Sequence, residues 1–173
     1  PKTEEVYQAL DMANRELAVN AGRGSYALAR RASQIILDTR EALRKLTNAS
    51  EVAEVVITAS ATLACNQIFG GMSWSGQEIV YVSPYEHNAV MRVLYQLQMQ
   101  YGFEVEELGI DTATGMLDLE RIAYQFMRKR PSMVVMSHVS NVTGYILPVD
   151  EVGKMAKTYA AVIVVDGAQA LGL

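Results

Sequence analysis

The sequence predicts an α/β protein built on a mainly parallel β-sheet with helices on both faces. Five short apolar runs of strand length recur along the chain, and segments with helical spacing separate them. Such alternation is typical of parallel sheets, because each parallel strand pair needs a crossover connection that a helix usually supplies. The composition agrees with a globular domain, since 50% of the 173 residues are hydrophobic and 20% are charged.

Each element has a local signature. Two helices come first, from Glu4 to about Asn14 and from Tyr26 to about Leu46, and we expect residues 1–50 to form an N-terminal helical arm. Apolar runs predict five strands, at residues 55–58, 79–82, 105–108, 133–136 and 162–165. Helical spacing occupies residues 63–69, 88–101, 119–127 and 149–159. We expect all five strands to be parallel.

Charge and cysteine content exclude several classes of protein. The formal net charge of −4 gives no basic surface for nucleic acid. Cys65 is the single cysteine, so no internal disulfide can form, and a reducing compartment such as the cytoplasm is expected. No run approaches the roughly 18 consecutive apolar residues that a membrane span needs, so we expect no membrane partner.

Polar residues follow four of the predicted strands. The segments are ASAT (59–62), SPYEHN (83–88), SHVSNVTG (137–144) and DGAQ (166–169). Ligands of open parallel sheets bind outside the carboxyl ends of the strands, so these four segments are expected to converge on one crevice.

The residue types in this crevice suit a phosphorylated cofactor with a cationic ring. Ala61 and Thr62 open a helix, whose free N–H groups can bind a phosphate, although these residues taken alone are better explained by an ordinary capped helix start. Asp166 ends a buried-looking strand and needs a cationic partner, for which the pyridinium of a pyridoxal cofactor is a candidate. His87 can stack on a ring, and Asn141 and Gln169 can hydrogen-bond its phenolic oxygen.

Several longer motifs resemble a known family. SATLACN, YEHNAVMRVLYQL, GIDTATGMLDLERI, SHVSNVTGYILPVDEVGKMA and VIVVDGAQALG are similar, in order and spacing, to the class V aminotransferases, which include the NifS- and SufS-type cysteine desulfurases. The resemblance implies a fold-type-I enzyme dependent on pyridoxal 5′-phosphate (PLP). Residues 51–173 would then be the first part of its large, PLP-binding domain, and the N-terminal arm would belong partly to the small domain.

By matching motifs, the resemblance implies a role for each site residue. Ala61 and Thr62 would hold the phosphate, and His87 would stack on the ring. Asp166 would pair with the ring nitrogen, and Asn141 and Gln169 would lie near the ring hydroxyl. His87 and Asp166 would be the catalytic residues, and no metal is implied.

The resemblance also implies an activity on an amino acid, which we expect to be C–S cleavage of cysteine or transamination. The full-length enzyme is expected to be a homodimer. Ala61 and Leu63 replace a threonine and an acid of many desulfurases, Tyr26 replaces a frequent histidine, and Cys65 is not the sulfur-accepting cysteine. These departures leave the subtype open. The Schiff-base lysine, the substrate-carboxylate arginine and the catalytic cysteine are expected beyond residue 173, so this chain is expected to be an incomplete, inactive part of the enzyme that tends to self-associate.

Two alternatives remain open at this point. Glu86, His87, His138 and Asp166 are all metal-ligating types and could form the centre of a metal-dependent hydrolase on the same sheet edge, although they lack a recognisable ligand spacing. The chain could also be a non-catalytic interaction module. In the PLP interpretation, His138 is a packing or supporting residue rather than a ligand.

Overall fold

The computed structural model describes residues 2–22 and 24–172, and the chain divides after Ile57 into two compact units. The first unit contains α1 (Glu4–Glu16) and α2 (Ala27–Leu46). Acidic residues open α1 and basic residues close both helices, a distribution that complements the helix dipole. Both predicted N-terminal helices are therefore confirmed.

The second unit alternates helix and strand. Its elements are α3 (Ala61–Gly70), β1 (Ile79–Val82), α4 (Asn88–Tyr101), β2 (Glu104–Glu107), α5 (Leu119–Arg128), β3 (Met133–Ser137), α6 (Val149–Lys157) and β4 (Val162–Asp166). The four strands form one parallel sheet in the order β2-β1-β3-β4. The predicted α/β class with a parallel sheet is confirmed.

The apolar side chains of the central strands alternate between two cores. Val80, Val82 and Val135 pack with side chains of α3 and α4 on one face of the sheet. Tyr81 and Val134 pack with α5 and α6 on the opposite face. β1 and β3 are apolar at nearly every position because a central parallel strand is buried on both faces.

The direction of the connections reverses between β1 and β3. The chain leaves β1 through α4 toward β2 at one edge, whereas it leaves β3 through α6 toward β4 at the other edge. Right-handed crossovers running in opposite directions place their helices on opposite faces, as the two cores require. The carboxyl ends of β1 and β3 therefore diverge and leave a crevice between them.

The predicted strand at residues 55–58 is wrong. This segment has no regular secondary structure and no strand pairing in the described part of the chain, so the sheet has four parallel strands rather than five. Val56 is 74% exposed and Ile57 is 52% exposed. An apolar run forms a strand only where a neighbouring strand offers hydrogen-bond partners, which composition does not reveal.

The described residues contain no helix with the length and apolar character needed to span a membrane.

Candidate functional site

The carboxyl ends of β1, β3 and β4 and the first turn of α3 surround a cavity of about 220 Å³. It is lined by Ala61, Thr62, His87, Ala89, Ser137, Val139, Asn141, Asp166, Ala168 and Gln169. All six residues expected to bind a cofactor are thus brought to one cavity, although they come from four separate segments of the second unit.

The first turn of α3 supplies the cavity with backbone N–H groups. Ser60 caps this helix: its side chain accepts a hydrogen bond from the Leu63 N–H at 3.2 Å, and its carbonyl accepts from the Ala64 N–H at 3.0 Å. The preceding N–H groups, of Ala61 and Thr62, have no acceptor within a helix. Both residues are exposed, so the turn can donate hydrogen bonds to an anion.

His87 joins the end of β1 to the start of α4 and acts as the N-cap of that helix. Its Nδ1 accepts a hydrogen bond from the backbone N–H of Ala89 at 3.1 Å. A neutral ring bonded in this way carries its proton on Nε2. The cap fixes the imidazole at the cavity wall while one edge of the ring stays free to donate.

The segment after β3 forms a tight hairpin that carries Asn141. The His138 carbonyl accepts from Leu147 N–H, and the Ser140 N–H donates to the Tyr145 carbonyl, both at 2.9 Å. The buried Ser140 hydroxyl accepts hydrogen bonds from two backbone N–H groups of the turn. Asn141 is exposed at the tip, so its amide is available to a bound molecule.

Asp166 ends β4 and is half-buried at the cavity. Its Oδ1 accepts a hydrogen bond from the Ala168 N–H at 3.0 Å, and its carbonyl accepts from His138 N–H at 2.9 Å. A carboxylate has about four acceptor sites, so capacity remains for a donor in the cavity. The turn that follows, closed by Ala170 N–H on the Gly167 carbonyl at 2.9 Å, carries Gln169.

Glu86 is hydrogen-bonded between β1 and β3. It accepts from the Ser83 hydroxyl, from the Ser137 N–H and, at 3.1 Å, from the Ser137 hydroxyl. Burial raises the pKa of the Glu86 carboxyl above its ordinary value, the charge of Asp166 acts in the same direction, and the serine hydrogen bonds oppose both.

The alternative metal centre is not formed. Within residues 2–22 and 24–172, no three His, Cys, Asp or Glu side chains lie close enough to hold a metal ion. The Glu86 oxygens already accept from two serines, and His87 Nδ1 caps a helix. Cys65 is buried in the core formed with α4, and this burial raises the pKa of its thiol, with smaller contributions from Asp166 and Glu86.

Sequence reasoning missed the serines that organise the cavity. Ser137 lines it and Ser83 bonds to Glu86, and both are buried. Each directly follows an apolar strand run, where a hydroxyl signals a buried polar contact. The partner could not be identified, because Glu86 and Ser137 are 51 residues apart in sequence.

Comparison with known proteins gives a consistent family assignment. The family model described as aminotransferase class V matches residues 1–173. A probable cysteine desulfurase of Methanothermobacter thermautotrophicus is 30% identical over 99% of this chain. The apo structure of a cysteine desulfurase from Thermococcus onnurineus superposes on 95% of the chain with a TM-score of 0.84 and 26% identity.

A second similar structure, with a TM-score of 0.77 and 23% identity over 95% of the chain, is that of a C-DES mutant with glycine covalently linked to the PLP cofactor. The chain spans only part of these proteins. It covers 42% of the Methanothermobacter protein, 40% of the Thermococcus chain and 44% of the C-DES chain.

Proposed function

The chain belongs to the aminotransferase class V family, and on this premise we propose that its cavity binds pyridoxal 5′-phosphate. The observation that carries the proposal is the set of groups around one cavity: a helix N-terminus with free N–H groups, an imidazole, two amides and a carboxylate. These groups match the phosphate, the aromatic ring, the phenolic oxygen and the pyridinium nitrogen of that one molecule.

The phosphate would be held at the first turn of α3. The N–H groups of Ala61 and Thr62, the Thr62 hydroxyl and the positive end of the helix dipole are suited to a dianion. No lysine or arginine lines the cavity among the described residues, so this turn would supply most of the attraction for the phosphate.

The ring would be held by the remaining residues. His87 would stack on one face, and Asn141 and Gln169 would hydrogen-bond the phenolic oxygen. The Asp166 carboxylate would hold a proton on the ring nitrogen, because a half-buried anion favours a cationic neighbour. Bound PLP supplies an electron sink for a carbanion at the substrate α-carbon, and Asp166 would strengthen this property.

For the whole protein we propose cysteine as the substrate and C–S cleavage as the reaction, with transamination as the second candidate. The relatives named as cysteine desulfurases support the first reaction, and the family description supports the second. Assayed with a thiol reductant such as dithiothreitol, C–S cleavage of cysteine by the full-length protein would release sulfide, whereas transamination would form 3-mercaptopyruvate, which keeps the sulfur.

We propose further that residues 1–50 belong partly to the small domain and that residues 51–173 open the PLP-binding domain. The full-length protein is proposed to be a cytoplasmic homodimer. Within residues 1–173 the single cysteine leaves no internal disulfide to form, which supports a reducing compartment. Sedimentation of the full-length protein would test the homodimer, and a monomer at micromolar concentration would contradict it.

The cofactor proposal is tested with pyridoxamine 5′-phosphate, which has no aldehyde and therefore cannot form adducts with surface lysines. Titration calorimetry should give one site per chain, and inorganic phosphate should compete. Thr62→Val should weaken binding by about fivefold because one phosphate hydrogen bond is lost. Thr112→Val, on an exposed loop, is the matched control and should have no effect. Absence of a saturable site on the folded wild-type chain would overturn the proposal.

A further inference from the structure

The cavity is bounded by the ends of β1 and β3, which no backbone hydrogen bond of the described residues joins beyond Val135. The pairing of β1 with β3 ends at Val82 and Val135, and the last backbone link is the Ser83 N–H donating to the Val135 carbonyl at 3.2 Å. β3 continues to Ser137, and β4 follows it to Asp166. Beyond Val135, the edge of β3 that faces β1 therefore has no paired strand beside it.

Glu86 takes the place of that neighbour. Successive N–H groups of a strand point to opposite sides, and His138 N–H donates to β4 at the Asp166 carbonyl. The Ser137 N–H therefore points toward β1, which has already turned away, and a Glu86 carboxylate oxygen accepts it. Ser137 is 4% exposed, so its N–H would otherwise be buried without a partner, which is costly.

The same carboxylate is fixed from the β1 side. It accepts from the Ser83 hydroxyl at the end of β1 and from the Ser137 hydroxyl at the end of β3. Three donors compensate for the partial burial of the carboxylate, so Glu86 forms a satisfied polar bridge between the two strand ends.

This bridge lies directly beside the cavity walls. Glu86 precedes His87, which lines one wall, and holds Ser137, which lines the other and leads through the hairpin to Asn141. We propose that Glu86 is a positioning residue, which sets the separation between His87 and the β3 wall and so orients the bound ring. The inference rests on the proposed cofactor site, because Glu86 is not among the residues that line the cavity.

The test uses two substitutions of Glu86 in this chain and one control, again with pyridoxamine 5′-phosphate. Glu86→Ala removes the bridge and should weaken binding by about tenfold, the equivalent of one lost charge-assisted hydrogen bond. Glu86→Gln keeps the length and an acceptor for the Ser137 N–H, so it should restore binding to within about threefold of wild type. Glu120→Ala, an exposed glutamate of α5, is the matched control.

The decisive measurement is the circular dichroism of the bound ligand's absorption band at saturation. The ligand is achiral, so this signal reports how firmly the site holds one orientation. It should fall in Glu86→Ala, recover in Glu86→Gln and remain unchanged in Glu120→Ala. If Glu86→Ala does not fold, Glu86→Asp carries the test, because it keeps the charge but is one methylene too short.

The outcomes separate this inference from the cofactor proposal. If wild type binds the ligand and folded Glu86→Ala or Glu86→Asp gives the same affinity and the same induced signal, the positioning role is refuted and the cofactor site stands. Failure of Glu86→Gln to restore the signal would also contradict it. If wild type binds no ligand, both proposals fall together.

Discussion

Replacing Asp166 with Asn isolates the charge of the carboxylate from its shape. The Asn side chain has the same size, and its carbonyl oxygen can still accept the Ala168 N–H that Asp166 Oδ1 accepts at 3.0 Å. The turn carrying Gln169 should therefore persist. The variant loses the negative charge that would attract a protonated ring nitrogen in the cavity.

The expected loss follows from the burial of this residue. Hydrogen bonds to charged groups contribute about 1.5–3 kcal/mol, and the lower half of that range applies because Asp166 is only half-buried. A loss of about 1.5–2 kcal/mol weakens pyridoxamine 5′-phosphate binding by about 10- to 30-fold. Asp150→Asn, at an exposed position of α6, is the control and should leave affinity unchanged.

A second readout identifies the charge as the cause. The bound ligand's ultraviolet spectrum changes when its ring nitrogen loses a proton. That change should occur at lower pH in Asp166→Asn than in wild type, because the carboxylate favours the protonated ring. Equal affinity together with an unshifted spectral transition would show that Asp166 does not face the ring nitrogen.

Three further predictions concern stability. Phe126→Ala should lower the free energy of unfolding, measured by urea denaturation, by about 3–5 kcal/mol, because this ring is fully buried. Tyr124→Ala, at a side chain that is 54% exposed on the same helix, should have little effect. Similar losses in the two variants would contradict the core assignment. Hydrogen bonding from a serine hydroxyl three residues earlier lowers the pKa of Glu78 to about 2. The stabilisation that ionised Glu78 gives to the fold is fully present above pH 4.5 and is lost as the pH falls toward 2. Between pH 4.5 and 2, wild type should therefore lose more stability than Glu78→Gln. Parallel acid-unfolding curves for the two proteins would refute this. Gly144→Ala should destabilise the protein by about 1 kcal/mol in thermal unfolding, because the residue has a φ of +73° and the new methyl group meets no other atom, so that only backbone strain opposes it. Gly70→Ala, at a position with open space and no positive φ, should be neutral or stabilising. Equal effects of the two substitutions would contradict the turn geometry.

The helices could be predicted closely because their signals are local. The predicted range 88–101 coincides with α4, where a run of helix formers ends at Gly102, whose φ of +82° suits a helix C-cap. Strand β2 begins at Glu104, one residue before the predicted range of 105–108, because Glu104 pairs in the sheet and its side chain bonds to Lys129. Charged side chains fit there because β2 is an edge strand.

The site could be predicted only to the extent that one rule applied. Parallel strands present their carboxyl ends at one edge, so the polar segments after β1, β3 and β4 were expected together, and His87, Asn141 and Asp166 line one cavity. The rule does not say what each side chain bonds to. From sequence alone Glu86 is therefore a candidate metal ligand, whereas in the structure its oxygens accept hydrogen bonds from serines at the ends of two strands.

One feature of the topology accounts for both the cavity and the bridge beneath it. Because the chain leaves β1 toward one edge of the sheet and β3 toward the other, their carboxyl ends separate and open a space that can admit a ligand. The same separation removes the backbone acceptor that the Ser137 N–H would have in a continuing sheet. A polar side chain from the β1 loop must then supply that acceptor, and Glu86 does so from the position next to His87. The Glu86 carboxylate, which accepts the hydrogen bond that the sheet no longer provides, is thereby connected to both walls of the cavity. Its removal should therefore alter the orientation of a bound ring as well as the strength of binding.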